Sequence, residues 1–211
     1  MYTDMVTLEV MDTIFYEAQR QGRISFYATT TGEEAINIAS TAALHNDDFV
    51  FPQYREPGVL LWRGFTLQEF AHQCFGNKYD NGKGRQMPIH YGSRKHNYFT
   101  IASTVATQIP HAVGAAYSLK MEKQDSCVII YFGDGGSSTA DFHAAMNFAA
   151  VLEVPLSQAI QAAERVEKPL IAEMFNDIIN KYMKHVIFEF QMTNIKFITS
   201  RKRINNHMFL R

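Results

Sequence analysis

Tyr131-Phe132-Gly133-Asp134-Gly135-Gly136-Ser137-Ser138, leading into Asp141-Phe142-His143-Ala144-Ala145-Met146-Asn147-Phe148-Ala149-Ala150, is the stretch whose reading decides the fold. Before it stands Cys127-Val128-Ile129-Ile130, an apolar and β-branched run that reads as a buried parallel strand. A strand that ends in Gly-Asp-Gly and opens a helix suits a metal-bound diphosphate. The glycines let the backbone approach phosphate oxygens, and the carboxylate can ligate the metal. The helix N-terminus adds unpaired N–H groups and a positive field. By itself the tripeptide reads first as an ordinary strand-to-helix turn with a capping Asp, and the rest of the chain reverses that reading.

The 211 residues are enough for one domain of ordinary size, and a hydrophobic fraction of 46% supports a packed core. No apolar run is long enough to span a bilayer. Met1-Tyr2-Thr3-Asp4-Met5 resembles neither a secretory signal nor an Arg-rich transit peptide. Amphipathic spacing begins at once, with Met5, Leu8, Met11, Phe15 and Ala18 on one face, so the chain reads as starting inside a domain. Cys74 and Cys127 are too few for a disulfide framework, which points to a reducing compartment.

The net charge of −1 hides an asymmetry. Residues 1–178 carry 13 Lys and Arg against 20 Asp and Glu; residues 179–211 carry 7 against 1. A basic tail can mark a nucleic-acid or anionic-surface partner. Here the basic residues are not interleaved with a folded motif, which argues against both nucleic acid and membrane. The 33 tail residues contain no Gly, Pro or Ala, and 21 of them are Ile, Phe, Lys, Asn, Met or Tyr. Those residues come mainly from AT-rich codons, so the expectation is translated non-coding sequence.

Apolar spacing near 3.6 predicts helices at 5–21, 33–45, 66–75, 104–122 and 140–152. Thr29-Thr30-Thr31-Gly32 offers caps and a turn for the second. Phe49-Val50-Phe51 reads as a short buried strand, and 127–132 as another. Residues 76–99 form a long polar, Gly-rich loop of the kind that is usually functional. Another amphipathic helix is expected over 156–178, and Val186–Met192 with Ile195–Thr199 forms a weak hairpin pattern around Thr193-Asn194. The alternation predicts an α/β fold, a parallel sheet wrapped by helices. Ligands in such folds gather at the C-terminal ends of strands, where both Tyr54-Arg55 and Asp134 fall.

Three further segments join this set. Gln53-Tyr54-Arg55-Glu56-Pro57-Gly58 puts an arginine and a phenol after a strand, and arginine forks onto diphosphate oxygens. Gly84-Arg85-Gln86-Met87-Pro88-Ile89-His90-Tyr91-Gly92 lies in the long loop. Ser103-Thr104-Val105-Ala106-Thr107-Gln108-Ile109-Pro110 opens the helix predicted from 104, with hydroxyls where N–H groups need partners. Singly, Arg55 reads equally as a surface ion pair, Ser103 as a plain cap and His90 as a satisfied loop histidine.

Together these segments closely resemble the alpha subunit of the branched-chain 2-oxo acid dehydrogenase decarboxylase component, a thiamine diphosphate enzyme of mitochondria. The resemblance covers residues 1–155 nearly without a break and includes Gln19-Arg20-Gln21-Gly22-Arg23-Ile24-Ser25-Phe26-Tyr27 and Ala112-Val113-Gly114-Ala115-Ala116-Tyr117. The related pyruvate dehydrogenase alpha subunit normally carries a Gly-Gly-Ser-Met-His type of loop instead of Arg85-Gln86-Met87-Pro88.

The resemblance implies that Tyr54, Arg55 and Ser103 contact the diphosphate region and that Asp134 ligates magnesium, with Gly135 and Gly136 giving backbone contacts. It implies a potassium loop in which Ala102 and Thr104 use carbonyls and Thr107 and Gln108 use side-chain oxygens. Ala102 and Thr104 replace the usual serine and proline there, and Thr139-Ala140 replaces the usual Glu-Gly. After Val154-Pro155 the family continues with a strand ending in Arg-Asn-Asn-Gly and, later, a phosphorylated loop with the catalytic histidine. Neither has a counterpart here, so no catalytic residue is assigned. Residues 156–178 instead resemble the family's far C-terminal region.

The expected organisation is an incomplete thiamine diphosphate-binding fold. Residues 1–155 form its first half, 156–178 a segment like the family's C-terminal region, and 179–211 an unrelated basic tail. The implied activity is oxidative decarboxylation of branched-chain 2-oxo acids with acyl transfer to lipoyl groups. The implied partners are a beta subunit and a lipoyl-bearing acyltransferase core, in the mitochondrial matrix. Loss of the later contacts implies an impaired chain; the alternative is a non-catalytic isoform that binds the beta subunit. The missing strand also implies an open apolar edge along Val128–Tyr131, to which Val186–Met192 is expected to pair.

Overall fold

The computed structural model describes residues 1–161 and 195–199. The chain divides between Gln108 and Ile109 into two compact units.

The first unit opens with α1 (Tyr2–Arg20), which buries Leu8, Met11, Phe15 and Ala18, the face that the spacing predicts. It also buries Asp12, a cost offset by three donors. Tyr27 Oη donates to Asp12 Oδ1 at 2.7 Å, and the Thr30 N–H and hydroxyl both donate to Oδ2. The threonine expected to cap the second helix is therefore spent on α1. That helix, α2 (Glu34–Ala42), starts at a Glu33 N-cap with no side-chain cap bond. It is followed by β1 (Phe49–Phe51) and by α3 (Pro57–Trp62), which the sequence reading did not foresee. Pro57 at the first helical position is pre-set in φ. Next comes α4 (Leu67–Cys74), held by a full capping box between Thr66 and Glu69.

Helices α1, α2 and α3 pack at Gly58. A Cβ there would lie 2.6 Å from Asn37 Cβ and 2.7 Å from Leu8 Cδ2. The long loop is ordered by the middle of β1: Val50 N–H donates to Asn97 O at 2.8 Å, and Phe99 N–H to Val50 O at 2.9 Å. Phe51 and Phe99 stack with centroids 4.0 Å apart.

The second unit contains α5 (from Gln108 to Met121), β2 (Val128–Gly133), α6 (Asp134–Ser137), α7 (Ala140–Leu152), β3 (Leu156–Gln161) and β4 (Ile195–Thr199). The helix expected from residue 104 begins at Gln108, because residues 102–107 form a turn with Ala106 at φ 69°. Helix α7 starts where expected, with Thr139 Oγ1 accepting from Phe142 N–H at 3.2 Å. Strand β2 is buried from Val128 through Phe132.

Two expectations fail at its edge. Residues 156–161 are strand, not the start of a helix, and β3 pairs parallel with β2 from Val128↔Leu156 to Gly133↔Gln161. The edge expected to stand open is therefore paired. The physical reason is that α7 returns the chain through Val154-Pro155 alongside β2, with Val128 N–H donating to Pro155 O at 3.0 Å. That backbone ladder outweighs the helical spacing. Strand β4 pairs antiparallel with β3, Ser157↔Thr199 to Gln161↔Ile195. Val186–Met192, expected at that edge, lies outside the described residues, as does the remainder of 156–178.

Gly58→Ala should destabilise the protein by about 1–3 kcal/mol, the usual cost of overpacking a well-filled contact. Denaturant unfolding should show a lower midpoint at unchanged slope.

Candidate functional site

Gln53, at the end of β1, organises the site. Its Nε2 donates to the carbonyls of Ala102 and Thr104, at 3.1 and 3.4 Å. Its Oε1 accepts from Ala106 N–H at 3.2 Å and from Gln108 Nε2 at 2.9 Å. One buried amide thus satisfies the turn 102–108 on both of its atoms, and the turn needs it because left-handed Ala106 diverts the backbone away from helical bonding. The Thr107 hydroxyl donates to Thr104 O at 3.1 Å. The Ala102 and Thr104 carbonyls thus share one donor and the Thr107 hydroxyl meets Thr104 O, while Gln108 is reached through its amide nitrogen. The oxygens of these residues are neutral, the donor chemistry that suits a monovalent cation. Gln53 was quoted in the sequence only as the neighbour of Tyr54. Its position at a strand's C-terminal end was the signal available for it.

Arg55 stands two residues beyond Gln53. Its Nη1 donates to Thr29 O at 2.5 Å, and its guanidinium carbon lies 5.7 Å from the centroid of the Tyr54 ring. No carboxylate lies within 4.0 Å of it among the described residues, so a neutral carbonyl holds its direction while its charge stays available. Asn37 fixes the backbone: its Nδ2 donates to Arg55 O at 3.1 Å, and its Oδ1 accepts from Gly58 N–H at 3.1 Å. Glu56 is wholly buried, its Oε2 accepting from Gln53 N–H at 2.8 Å and its Oε1 meeting no partner. Burial pushes its carboxyl up to about 8 despite the Gln53 N–H, with the Glu33 charge adding to the rise. Burial likewise lifts Glu33 to about 7, against the pull of Arg55.

Ser103 is exposed at the head of the 102–108 turn, and its hydroxyl meets Nε2 of buried His90. His90 comes from the long loop, and the sequence reading weighed it as a satisfied loop histidine. Tyr54, Arg55, Ser103 and the four turn residues thus lie in the first unit, joined through Gln53.

Asp134, Gly135 and Gly136 lie in the second unit. Gly133 ends β2 in an extended conformation, and Asp134 begins the single turn α6, closed by Ser137 Oγ donating to Asp134 O at 2.6 Å. Asp134 is half-buried and Gly135 is exposed. Among the described residues, no three His, Cys, Asp or Glu side chains come together as a metal site. A divalent ion at Asp134 would take its other oxygens from elsewhere, as magnesium does with phosphates and water.

A family model described as the dehydrogenase E1 component matches residues 2–164, and the chain belongs to that family. Its relatives include 2-oxoisovalerate dehydrogenase subunit alpha 2, mitochondrial, of Arabidopsis thaliana. That protein is 75% identical over 155 residues, 74% of this chain and 33% of the relative. The mitochondrial alpha subunits of the same name from Dictyostelium discoideum and Homo sapiens are 59% and 55% identical, each over 74% of this chain and 35% of their own. The chain spans about a third of the length of these relatives.

The raised carboxyls give a pH signature. Glu56 ionises at about 8 in the folded chain against an ordinary value of 4.5. Below 4.5 both states hold the proton; as pH rises to about 8, only the unfolded chain releases it, so stability is lost across that window. Denaturant unfolding at pH 5 and pH 8.5 should show this loss. Glu56→Gln, which is neutral throughout, should remove most of it.

Proposed function

We propose that this chain is part of the alpha subunit of a branched-chain 2-oxo acid dehydrogenase and binds the diphosphate end of thiamine diphosphate. The observation that carries the reading is the Gln53 side chain, which ties the Tyr54-Arg55 strand end to the turn bearing Ser103. Tyr54, Arg55 and Ser103 contact the diphosphate. Asp134 ligates magnesium, and the Gly135 and Gly136 backbone gives further cofactor contacts. Potassium sits on the Ala102 and Thr104 carbonyls with the Thr107 and Gln108 side-chain oxygens. The names of the relatives support the substrate class, branched-chain 2-oxo acids, and a mitochondrial location.

When bound, the cofactor supplies the carbon nucleophile and the electron sink for loss of carbon dioxide. The residues of this chain bind and orient. Arg55 offers charge-assisted bonds to phosphate oxygens from a fixed direction. The neutral-oxygen turn, once it holds a cation, stiffens the backbone on either side of Ser103. The partners that fit this division of labour are a beta subunit for the rest of the cofactor and an acyltransferase core whose lipoyl groups accept the product. No described helix is long and apolar enough to cross a membrane.

Titration calorimetry with thiamine diphosphate and magnesium tests the reading. A lost charge-assisted contact is worth about 1.5–3 kcal/mol, so Arg55→Ala and Asp134→Ala should each weaken binding roughly 10- to 100-fold. Unchanged affinity in Asp134→Ala would reduce the Gly-Asp-Gly stretch to a turn. Co-purification with the beta subunit without decarboxylase activity would mark the chain as a non-catalytic binding partner.

A further inference from the structure

We infer that His90 sets the donor state of Ser103, and that a diphosphate seated at Ser103 draws a proton from solvent onto His90. This rests on the reading of Ser103 as a diphosphate contact.

His90 is 6% exposed. Its Nδ1 lies 3.0 Å from Pro88 O, and a carbonyl can only accept, so Nδ1 carries a hydrogen in every state. Its Nε2 meets the hydroxyl of Ser103. A neutral imidazole has one N–H, already committed to Pro88, so Nε2 accepts and the Ser103 hydroxyl proton points at His90. Ser103 then turns lone pairs outward. A phosphate oxygen needs a donor and is repelled by lone pairs. Swinging the hydroxyl round to the phosphate would leave buried Nε2 without its partner, which is unfavourable.

A proton on Nε2 resolves the conflict. The imidazolium donates through both nitrogens, Ser103 accepts from Nε2, and the serine O–H is free to donate to the phosphate. One N–H bond forms with a proton from solvent. The serine O–H bond stays intact and only reorients. The cationic ring also adds attraction to the anionic cofactor.

The backbone prepares this contact. Ile89, 2% exposed, is held at φ 66°, a conformation a β-branched residue adopts only under constraint. Beyond His90, Tyr91 O accepts from Ile101 N–H at 3.0 Å, lacing the two segments together. A Cβ on Gly92 would come within 2.3 Å of Thr100 Oγ1, so the approach is close. The turn 100–108 carries no ionisable side chain. The other ionisable groups around the cavity of about 790 Å³ that His90 lines are Glu69, Asp80, Arg85, Arg94, Lys95 and the Tyr98 phenol. Glu69 is committed to the Thr66 capping box, and Asp80 Oδ2 accepts from Gly84 N–H at 2.9 Å.

The test is calorimetric titration of the full chain with thiamine diphosphate at constant magnesium, in buffers of different ionisation enthalpy. Wild type should take up more protons per cofactor than His90→Gln. A glutamine amide can donate to Ser103 without titrating, so His90→Gln should keep affinity within about threefold, whereas His90→Leu should lose roughly tenfold, one hydrogen bond. His90→Leu combined with Ser103→Ala should bind no worse than Ser103→Ala. Equal proton uptake in wild type and His90→Gln, with Ser103→Ala still weakened, overturns the inference alone. Wild-type affinity in Ser103→Ala, or no binding by wild type, overturns the diphosphate reading and the inference with it. Imidazole nitrogen NMR of the free chain reads the tautomer without ligand: hydrogen on Nδ1 is expected, and hydrogen on Nε2 overturns the inference even where the Leu variant fails to fold.

Discussion

A single buried amide, that of Gln53, is the contact on which the candidate site depends. The turn 102–108 leaves helical geometry at Ala106 and so loses the internal bonds that would satisfy its own backbone. Gln53 supplies them from outside, giving two donors to carbonyls and taking one backbone N–H and one side-chain N–H. Among uncharged side chains only the amides of glutamine and asparagine combine two N–H donors with a separate acceptor oxygen, and asparagine is one methylene shorter. The exchange works in both directions: the turn also fixes the end of β1, and with it the start of the Tyr54-Arg55 segment.

Around this hub, buried polar groups do the positioning that helix caps usually do. Asp12 accepts three hydrogen bonds and ties α1 to the Tyr27–Thr30 segment, whose Thr29 carbonyl holds Arg55. Asn37 bonds the backbone of Glu33, Arg55 and Gly58 at once. Glu56 and Glu33 each keep a buried carboxyl oxygen without a partner, and burial lifts both toward the protonated form. At neutral pH the protonated Glu56 carboxyl leaves the charge of neighbouring Arg55 uncompensated from that side, which suits an anion-binding arginine. Buried, half-satisfied acids lower stability, and functional sites commonly carry such costs.

The long loop follows the same logic. It is ordered by β1 on one side and by the Tyr91–Ile101 bond on the other. The strain at Ile89 places His90 where Ser103 can reach it. Loop residues over this span hold their geometry because backbone bonds lace them to neighbouring segments.

Sequence periodicity by itself determined the α/β class, the α1 face of Leu8, Met11, Phe15 and Ala18, the strands at 49–51 and near 127–132, and the helix from about residue 140. These rest on contacts within a few residues, so local spacing reports them. The segments that gather at the site were also legible, since strand ends and Gly-Asp-Gly turns carry a local signature. Tertiary structure alone decided the rest. Residues 156–161 follow helical spacing but form β3, because pairing along β2 outweighs local propensity. Thr30 looks like a cap but serves Asp12, 18 residues away. Gln53 reaches 49 to 55 residues along the chain, and His90 reaches 13 to Ser103. Partnerships of that range leave no periodic trace, because the turn at Ala106 and the strain at Ile89 that create them arise only when the segments meet.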